Sequence, residues 1–401
     1  MIDFTDPDLI GSRIPHPEFA IARKKFPVVW CPQSRGISGF DDLGYWAITR
    51  HSDVSFISRN PEIFSSYENT ALIRYGKNYT RSEIEARRAM MINMEGESHK
   101  RLRNIIKRGF TAKAMNLMEP LLREWAHKIV KGAADKIKQN RSIDFVKEVA
   151  TELPLQTICE LMGIPAEDRL KIFELSNSIV APDSIGEKPA LDAVIGLISY
   201  AAKMAEERAK SPRGDIVSQL VSAQSDGNLT AEEFGFFFIL LSLAGSETTR
   251  NSISQGMISF LENHEQWELY KATRPKTAAD EIVRFSTPTI CVQRTAMEEI
   301  EIGNQVIKQG DRIGLFYASA NFDEDVFEAP YDFNILRNPN PHLGFGGGGP
   351  HYCIGKSLAI MQISMIFEEI SNLLPNIQAA SPPIRLRSAW VNGYKSFIVK
   401  A

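Results

Sequence analysis

Cysteine is scarce in this chain of 401 residues, and its four thiols, Cys31, Cys159, Cys291 and Cys353, lie far apart in sequence. Such scatter excludes a disulfide framework, a zinc site on paired thiolates and an iron–sulfur cluster, and it suits reduced thiols in a cytoplasm. Charge of one sign is also lacking. With 46 basic and 49 acidic side chains the net charge is −3, which argues against nucleic acid as a partner. No apolar run is long enough for a membrane span. The opening Met1-Ile2-Asp3-Phe4-Thr5-Asp6 has neither the basic nor the apolar stretch of a secretory leader, so a cytoplasmic location is expected. Internal repeats, low-complexity blocks and a Gly-x-Gly-x-x-Gly after a strand are missing too.

What is present is enough apolar residue, 43%, to bury a large core, and one domain over residues 1–401 is expected. Phe26 to Trp30 and Tyr45 to Thr49 read as two strands, and short β-like runs return at 300–302, 306–308 and 312–317. Between Ser98 and Leu261 helical periodicity dominates, with one helix ending near Gly163 and a flexible connection over Ala181 to Pro189. The spacing predicts a long helix from Leu229 to Leu261, opened by a capping box of Thr230 and Glu233. Its apolar residues surround it on all sides, as a buried helix requires. A length of about 30 residues spans on the order of 50 Å, enough to cross a globule of this size. The fold class is mainly α with small β-sheets.

The most informative thiol is Cys353, in Phe345-Gly346-Gly347-Gly348-Gly349-Pro350-His351-Tyr352-Cys353-Ile354-Gly355. The glycines allow a sharp turn that lies close against something flat. A helical pattern begins just after the thiol, so helix N-terminal amides would stabilise its anion. A lone cysteine in such a loop is ordinarily an inert buried thiol. This setting suits instead a single axial ligand to haem iron.

The glycine four before Cys353, His351 two before it and Gly355 two after it resemble the haem-binding signature of cytochrome P450 enzymes. One departure is visible: the signature phenylalanine is expected seven residues before the thiol, and Phe345 stands eight before Cys353. The resemblance implies the cytochrome P450 fold, haem b as cofactor and Cys353 as the iron ligand, with Phe345 and Gly349 beside it. It further implies that His99, Arg103, Arg294, His342 and His351 meet the haem propionates. A basic helix face such as that of His99 and Arg103 is otherwise merely solvated.

In the long helix, Ala244-Gly245-Ser246-Glu247-Thr248-Thr249 sets an acid and an alcohol in an apolar segment. Thr248 is able to bond back to the carbonyl of Ala244, and with Gly245 this predicts a local opening of the helix ladder. The resemblance implies that Glu247 and Thr248 deliver protons to the reacting oxygen; otherwise they are a solvated acid and a core threonine. Glu281 and Arg284, three apart, are able to pair on a helix. They resemble the Glu-x-x-Arg of the family, with Arg337 as third member of a structural lock.

Several segments, Glu233 to Phe237 and Glu247 to Gly256 among them, resemble actinobacterial steroid C26/C27 monooxygenases, a subgroup that shares the extra glycine. That likeness implies hydroxylation of a terminal methyl of a steroid side chain, of the cholest-4-en-3-one or cholesterol type. Methyl-branched fatty acids or terpenoids are the alternative substrates. A non-catalytic haem or lipid-binding protein and a peroxide-driven enzyme are alternatives of other kinds. Ile73, Met91, Val180, Leu243, Thr289 and Trp390 stand where the family lines its substrate pocket, although each also suits ordinary core. Electrons are expected from a ferredoxin and its reductase, docking near Lys100, Lys107, Arg108 and Lys356.

Overall fold

The computed structural model describes residues 2–180 and 187–401, with the side chains of residues 108, 140, 180 and 187–189 outside that description. β1 (Val28–Pro32) and β2 (Gly44–Ile48) pair antiparallel with Trp30 opposite Trp46, as the two apolar runs predict. β3 (Phe64–Ser65), β4 (Cys291–Ala296) and β5 (Arg312–Phe316) complete their sheet in the order β1-β2-β5-β4-β3. β5 runs parallel to β2 and antiparallel to β4, so it joins the two ends of the chain. The sequence pattern did not reveal β4. Five of its six residues are buried, and a strand covered on both faces loses the alternation that would mark it. The expected runs near 300 and 306 form a hairpin of Ile300–Ile302 and Gln305–Ile307.

Helices supply the rest of the frame. α1 (His51–Arg59), α2 (Gly96–Ile106), α3 (Ala112–Asn140), α4 (Glu152–Met162), α5 (Arg169–Val180) and α6 (Glu187–Lys210) come before the long α7 (Ala231–Glu262). α8 (Ala278–Ser286) and α9 (Lys356–Leu373) follow it. The connection expected over Ala181 to Pro189 lies largely outside the described residues.

α7 begins as the sequence predicts. Thr230 Oγ1 accepts from the Glu233 amide at 3.1 Å, and the Glu233 carboxylate accepts from the Thr230 amide at 2.8 Å. Such a cap contributes about 1 kcal/mol. Phe234, Phe237, Phe238, Ile253, Met257 and Phe260 are all buried around the helix. α4, α5, α6, α8 and α9 pack on it, so it forms the axis of the helical part.

The expected opening near Gly245 is not observed, since α7 is continuous through that turn. Gly245 has another use. A Cβ there would lie 2.6 Å from Ile158 Cδ1 of α4, so the bare backbone lets the two helices approach closely.

Candidate active site

α9 delivers Cys353. The backbone amides of Gly355 and Lys356 act on its sulfur where the helix begins. Burial raises the thiol above its ordinary value, and these amides, with Arg103 and Lys356, act in the opposite direction. The residue is exposed and lines a cavity. Phe345 receives the Cys353 amide on its carbonyl at 3.0 Å, so the eight-residue step closes as a loop and the added glycine stays within it.

The glycine run serves two surfaces. Gly346 (φ +100°) lines the cavity beside Phe345. Gly347 and Gly349 instead press on the end of α1: their Cβ atoms would lie 2.4 Å from Ser58 Oγ and 2.3 Å from the Ser58 carbonyl oxygen. The flat partner expected from the sequence therefore accounts for only part of the run, and Gly349 belongs to the packing against α1.

A cluster of nitrogen-bearing side chains borders the same cavity. His99 and Arg103, one turn apart on α2, line it together with His351. The rings of His99 and His351 are 4.5 Å apart, and Arg103 Nη2 donates to the Tyr352 carbonyl at 2.7 Å. Arg294 stands on the face of β4 that also carries the cavity-lining Val292. Burial, followed by the charges of Arg294, His99 and Arg103, pushes His351 down to about 2. Burial also lowers His99, with Arg103 acting in the same direction, and lowers Arg103 and Arg294 themselves. Buried nitrogen-bearing groups whose charged forms burial disfavours fit an anionic partner, and the two carboxylates of haem b are such a partner. With a thiol in one wall, the residues fit the cofactor.

His342 does not join this cluster. Its Nε2 lies 3.1 Å from Asp280 Oδ1, and its Nδ1 accepts from the Gly344 amide at 3.2 Å. Both ring nitrogens are thus engaged away from the cavity. Sequence position placed it near the thiol, but the chain path turns its ring toward α8.

Glu281, Arg284 and Arg337 do come together. Arg284 Nε and Nη2 each donate to the Glu281 carboxylate at 2.8 Å, and Arg337 Nε reaches it at 3.2 Å. Arg284 also donates to the carbonyls of Asn321 and Pro330, which ties α8 to the segment leading into the thiol loop.

Thr248 lines the cavity and donates to the Ala244 carbonyl at 3.0 Å, as expected. Glu247 does not line it, because adjacent helical residues differ by about 100° in direction. Of the expected pocket residues, Met91 and Thr289 line the cavity. Ile73 is fully buried behind the sheet, Trp390 packs beside that cluster, and Leu243 packs against a helical core while Leu240, Leu241 and Ala244 face the cavity. Val180's side chain lies outside the described residues. The structure adds residues the sequence did not suggest. Ser66 Oγ lies 3.2 Å from His351 Nε2, and Gln362 of α9 lines the cavity with its buried Oε1 unpartnered. Gln362 lies two turns beyond the motif, and only the curl of the loop brings α9 alongside the site.

Of the expected docking cations, Lys100 is exposed and pairs with Glu97 at 2.7 Å, and Lys107 is exposed. Lys356 is half-exposed, 3.7 Å from Asp280, with its Nζ 5.4 Å from the Phe345 ring centre. Arg108's side chain lies outside the described residues. No helix among the described residues is long and apolar enough to cross a membrane.

Known proteins agree with this geometry. The family described as cytochrome P450 matches residues 276–372, which include the ion-pair cluster and the thiol loop. A steroid C26-monooxygenase of Rhodococcus jostii (strain RHA1) is 50% identical over 99% of this chain and 84% of its own length. A methyl-branched lipid omega-hydroxylase of Mycobacterium tuberculosis (strain ATCC 25618 / H37Rv) is 38% identical over 95% of this chain and 90% of its own. Among solved structures, a Mycobacterium marinum cytochrome P450 in complex with pseudoionone superposes with a TM-score of 0.91 at 32% identity, covering 100% of this chain and 98% of the other. Identity of 50% along 99% of the chain, with the thiol and its anion-seeking cluster around one cavity, makes this protein a member of the cytochrome P450 family of haem b monooxygenases.

Proposed function

We propose that this monooxygenase hydroxylates a terminal methyl group of a steroid side chain, of the cholest-4-en-3-one or cholesterol type, using dioxygen and two electrons. The observation that carries this reading is the 50% identity over 99% of the chain to a steroid C26-monooxygenase. The apolar wall of Met91, Ile92, Leu240, Leu241 and Val292 supports it, since such a wall excludes water and favours an alkyl chain end. Haem b bound through Cys353 supplies the oxygen chemistry. His99, Arg103, Arg294 and His351 hold its carboxylates, and Phe345 covers the thiol loop. Thr248 presents a hydroxyl proton at the cavity, and Glu247 recharges it. Glu281, Arg284 and Arg337 keep the segment before the loop in place.

Electrons come from a separate ferredoxin and its reductase, docking where Lys356 borders the thiol loop. One domain, acting in the cytoplasm, completes the reading. A second substrate class, methyl-branched lipids, is favoured by the 38% identical omega-hydroxylase. Titrating the haem absorbance with cholest-4-en-3-one, cholesterol, a methyl-branched fatty acid and a terpenoid alcohol, then analysing products with a reductase system, tests the choice. Tightest binding and terminal oxidation of the steroid are expected. Turnover of the branched acid with no steroid product would overturn the steroid reading, and binding without any product would overturn turnover of these substrates.

A further inference from the structure

Two walls of the cavity belong to segments far apart in the chain, and one buried side chain bonds to both segments. Asn321 follows the short helical turn Tyr317–Ala320 and is completely buried. Its Nδ2 donates to Thr287 Oγ1 at 2.8 Å, and its Oδ1 accepts from the Leu343 amide at 2.6 Å. Thr287 ends α8 in the left-handed region, at φ +36°, where a β-branched residue is strained. Its hydroxyl donates back to the Arg284 carbonyl at 2.6 Å, and Asn321 supplies the hydrogen bond that the same hydroxyl accepts. The turn sends Pro288 and Thr289 into the cavity wall. There the Asn392 amide donates to the Pro288 carbonyl at 3.0 Å, and Thr289 pairs with Val391. On the other side, Leu343 precedes Gly344, Phe345 and Gly346, which line the cavity together with Cys353. The Gly346 amide donates to the Leu343 carbonyl at 2.9 Å, and the Phe345 carbonyl accepts from Cys353.

We propose that Asn321 is a positioning residue that sets the distance between the wall at Pro288 and Thr289 and the thiol loop at Leu343 to Gly346, and so fixes how deep a substrate chain end reaches toward Cys353. The inference rests on the reading of this cavity as the substrate site. A carboxamide suits the task because it carries a donor and an acceptor on one short planar group, so it meets the Thr287 hydroxyl and the Leu343 amide at once. An apolar side chain of similar size meets neither, and a carboxylate has nothing to donate to Thr287. Both bonds are buried, so each partner that is lost leaves a polar group away from water. The fold does not depend on them alone. Arg284 Nη1 holds the main-chain carbonyl of Asn321 at 2.8 Å, so a change of side chain leaves the tie to the Glu281 cluster in place. Small movements of the wall matter, because a misplacement of about 1 Å costs on the order of 100-fold in a positioned reaction.

The test uses the haem-loaded protein with cholest-4-en-3-one and a ferredoxin reductase system, and reads the ratio of terminal to internal hydroxylation. T287V keeps the shape of the turn and removes the hydroxyl, and N321A removes both bonds. The ratio should fall about 10-fold in each. T287S, which keeps the hydroxyl, should match the wild type. A product ratio does not depend on how much of the protein is folded, so lowered stability alone does not move it. Haem loss to a scavenging apoprotein reads the other end of the contact. It should quicken several-fold in N321A, which frees Leu343, and stay unchanged in T287V. Wild-type ratios in both T287V and N321A overturn the proposal, and so does haem loss in N321A equal to that of the wild type. Should N321A fail to fold, T287V against T287S decides. The substrate reading fails separately: a wild type that makes no terminally oxidised steroid removes it, whereas terminal oxidation by the wild type with unmoved ratios in the variants removes only the role of Asn321.

Discussion

Arg284 meets Glu281 through two hydrogen bonds of 2.8 Å each, and both side chains are completely shielded from solvent. The Asn334 amide and Asn340 Nδ2 add further bonds to the same carboxylate at 2.9 and 3.1 Å. Every oxygen lone pair of Glu281 is thus put to use where α8 meets the strandless segment that leads to the thiol. E281A would leave Arg284 and Arg337 buried without their anion, at a cost of about 3–5 kcal/mol. We expect a protein with little haem and a lowered melting temperature. Normal haem content in E281A would remove the lock.

Gly349 combines φ +73° with a Cβ position 2.3 Å from the Ser58 carbonyl oxygen. Gly36 has nearly the same φ, +74°, with nothing within 4 Å. Both alanine variants carry about 1–2 kcal/mol of left-handed strain, but only G349A must also push the loop off α1. Thermal melts should separate the two, and haem content should fall in G349A alone.

His342 and His351 stand near one another in sequence and should behave differently. H351A should speed haem loss to a scavenging apoprotein, because it removes a member of the cavity cluster. H342A should leave haem loss nearly unchanged and weaken acid stability instead. The hydrogen bond from His342, the largest cause, holds the Asp280 carboxyl below its ordinary 3.8 despite burial. A depressed carboxyl contributes stability that is present above 3.8 and is lost as pH falls through the lower folded value. The pH dependence of unfolding in that acid window should therefore flatten in H342A.

Thr248 is one of the hydroxyls that line the cavity, held by its 3.0 Å bond to the Ala244 carbonyl. T248A should keep consuming reductant while forming product about 100-fold more slowly, the lower end of what a positioned proton donor contributes. Product per electron pair is the measurement. Unaltered coupling would mean that protons arrive by another path.

Lys356 is half-exposed at the start of α9, three residues after the thiol. K356E should slow reduction by a ferredoxin several-fold at low ionic strength, with the difference vanishing as salt shortens the Debye length. Equal rates at all salt concentrations would move the docking site elsewhere.

Local grammar made much of this legible beforehand. The capping box of Thr230 and Glu233 announced α7, the apolar runs announced β1 and β2, and the spacing of glycines, His351 and Cys353 announced the thiol site. Glu281 and Arg284 were visible because one turn of helix brings them together. Asn321 carries no such signal, since its partners Thr287 and Leu343 lie 34 residues before it and 22 after it. β4 stayed hidden because burial on both faces erased its alternation, and the pocket forecast failed where one residue along α7 means a turn of about 100°.

The sequence by itself determined the family, the glycine-rich loop that carries Cys353 and the long buried helix, since each rests on residue type and short-range spacing. Only the tertiary structure decided which of the nearby groups face the cavity. His342 turns to Asp280 and Glu247 to Arg250, while His99, Arg103 and His351 gather from separate segments. Direction is set by what packs on the far side of each backbone, and those partners lie tens to hundreds of residues away.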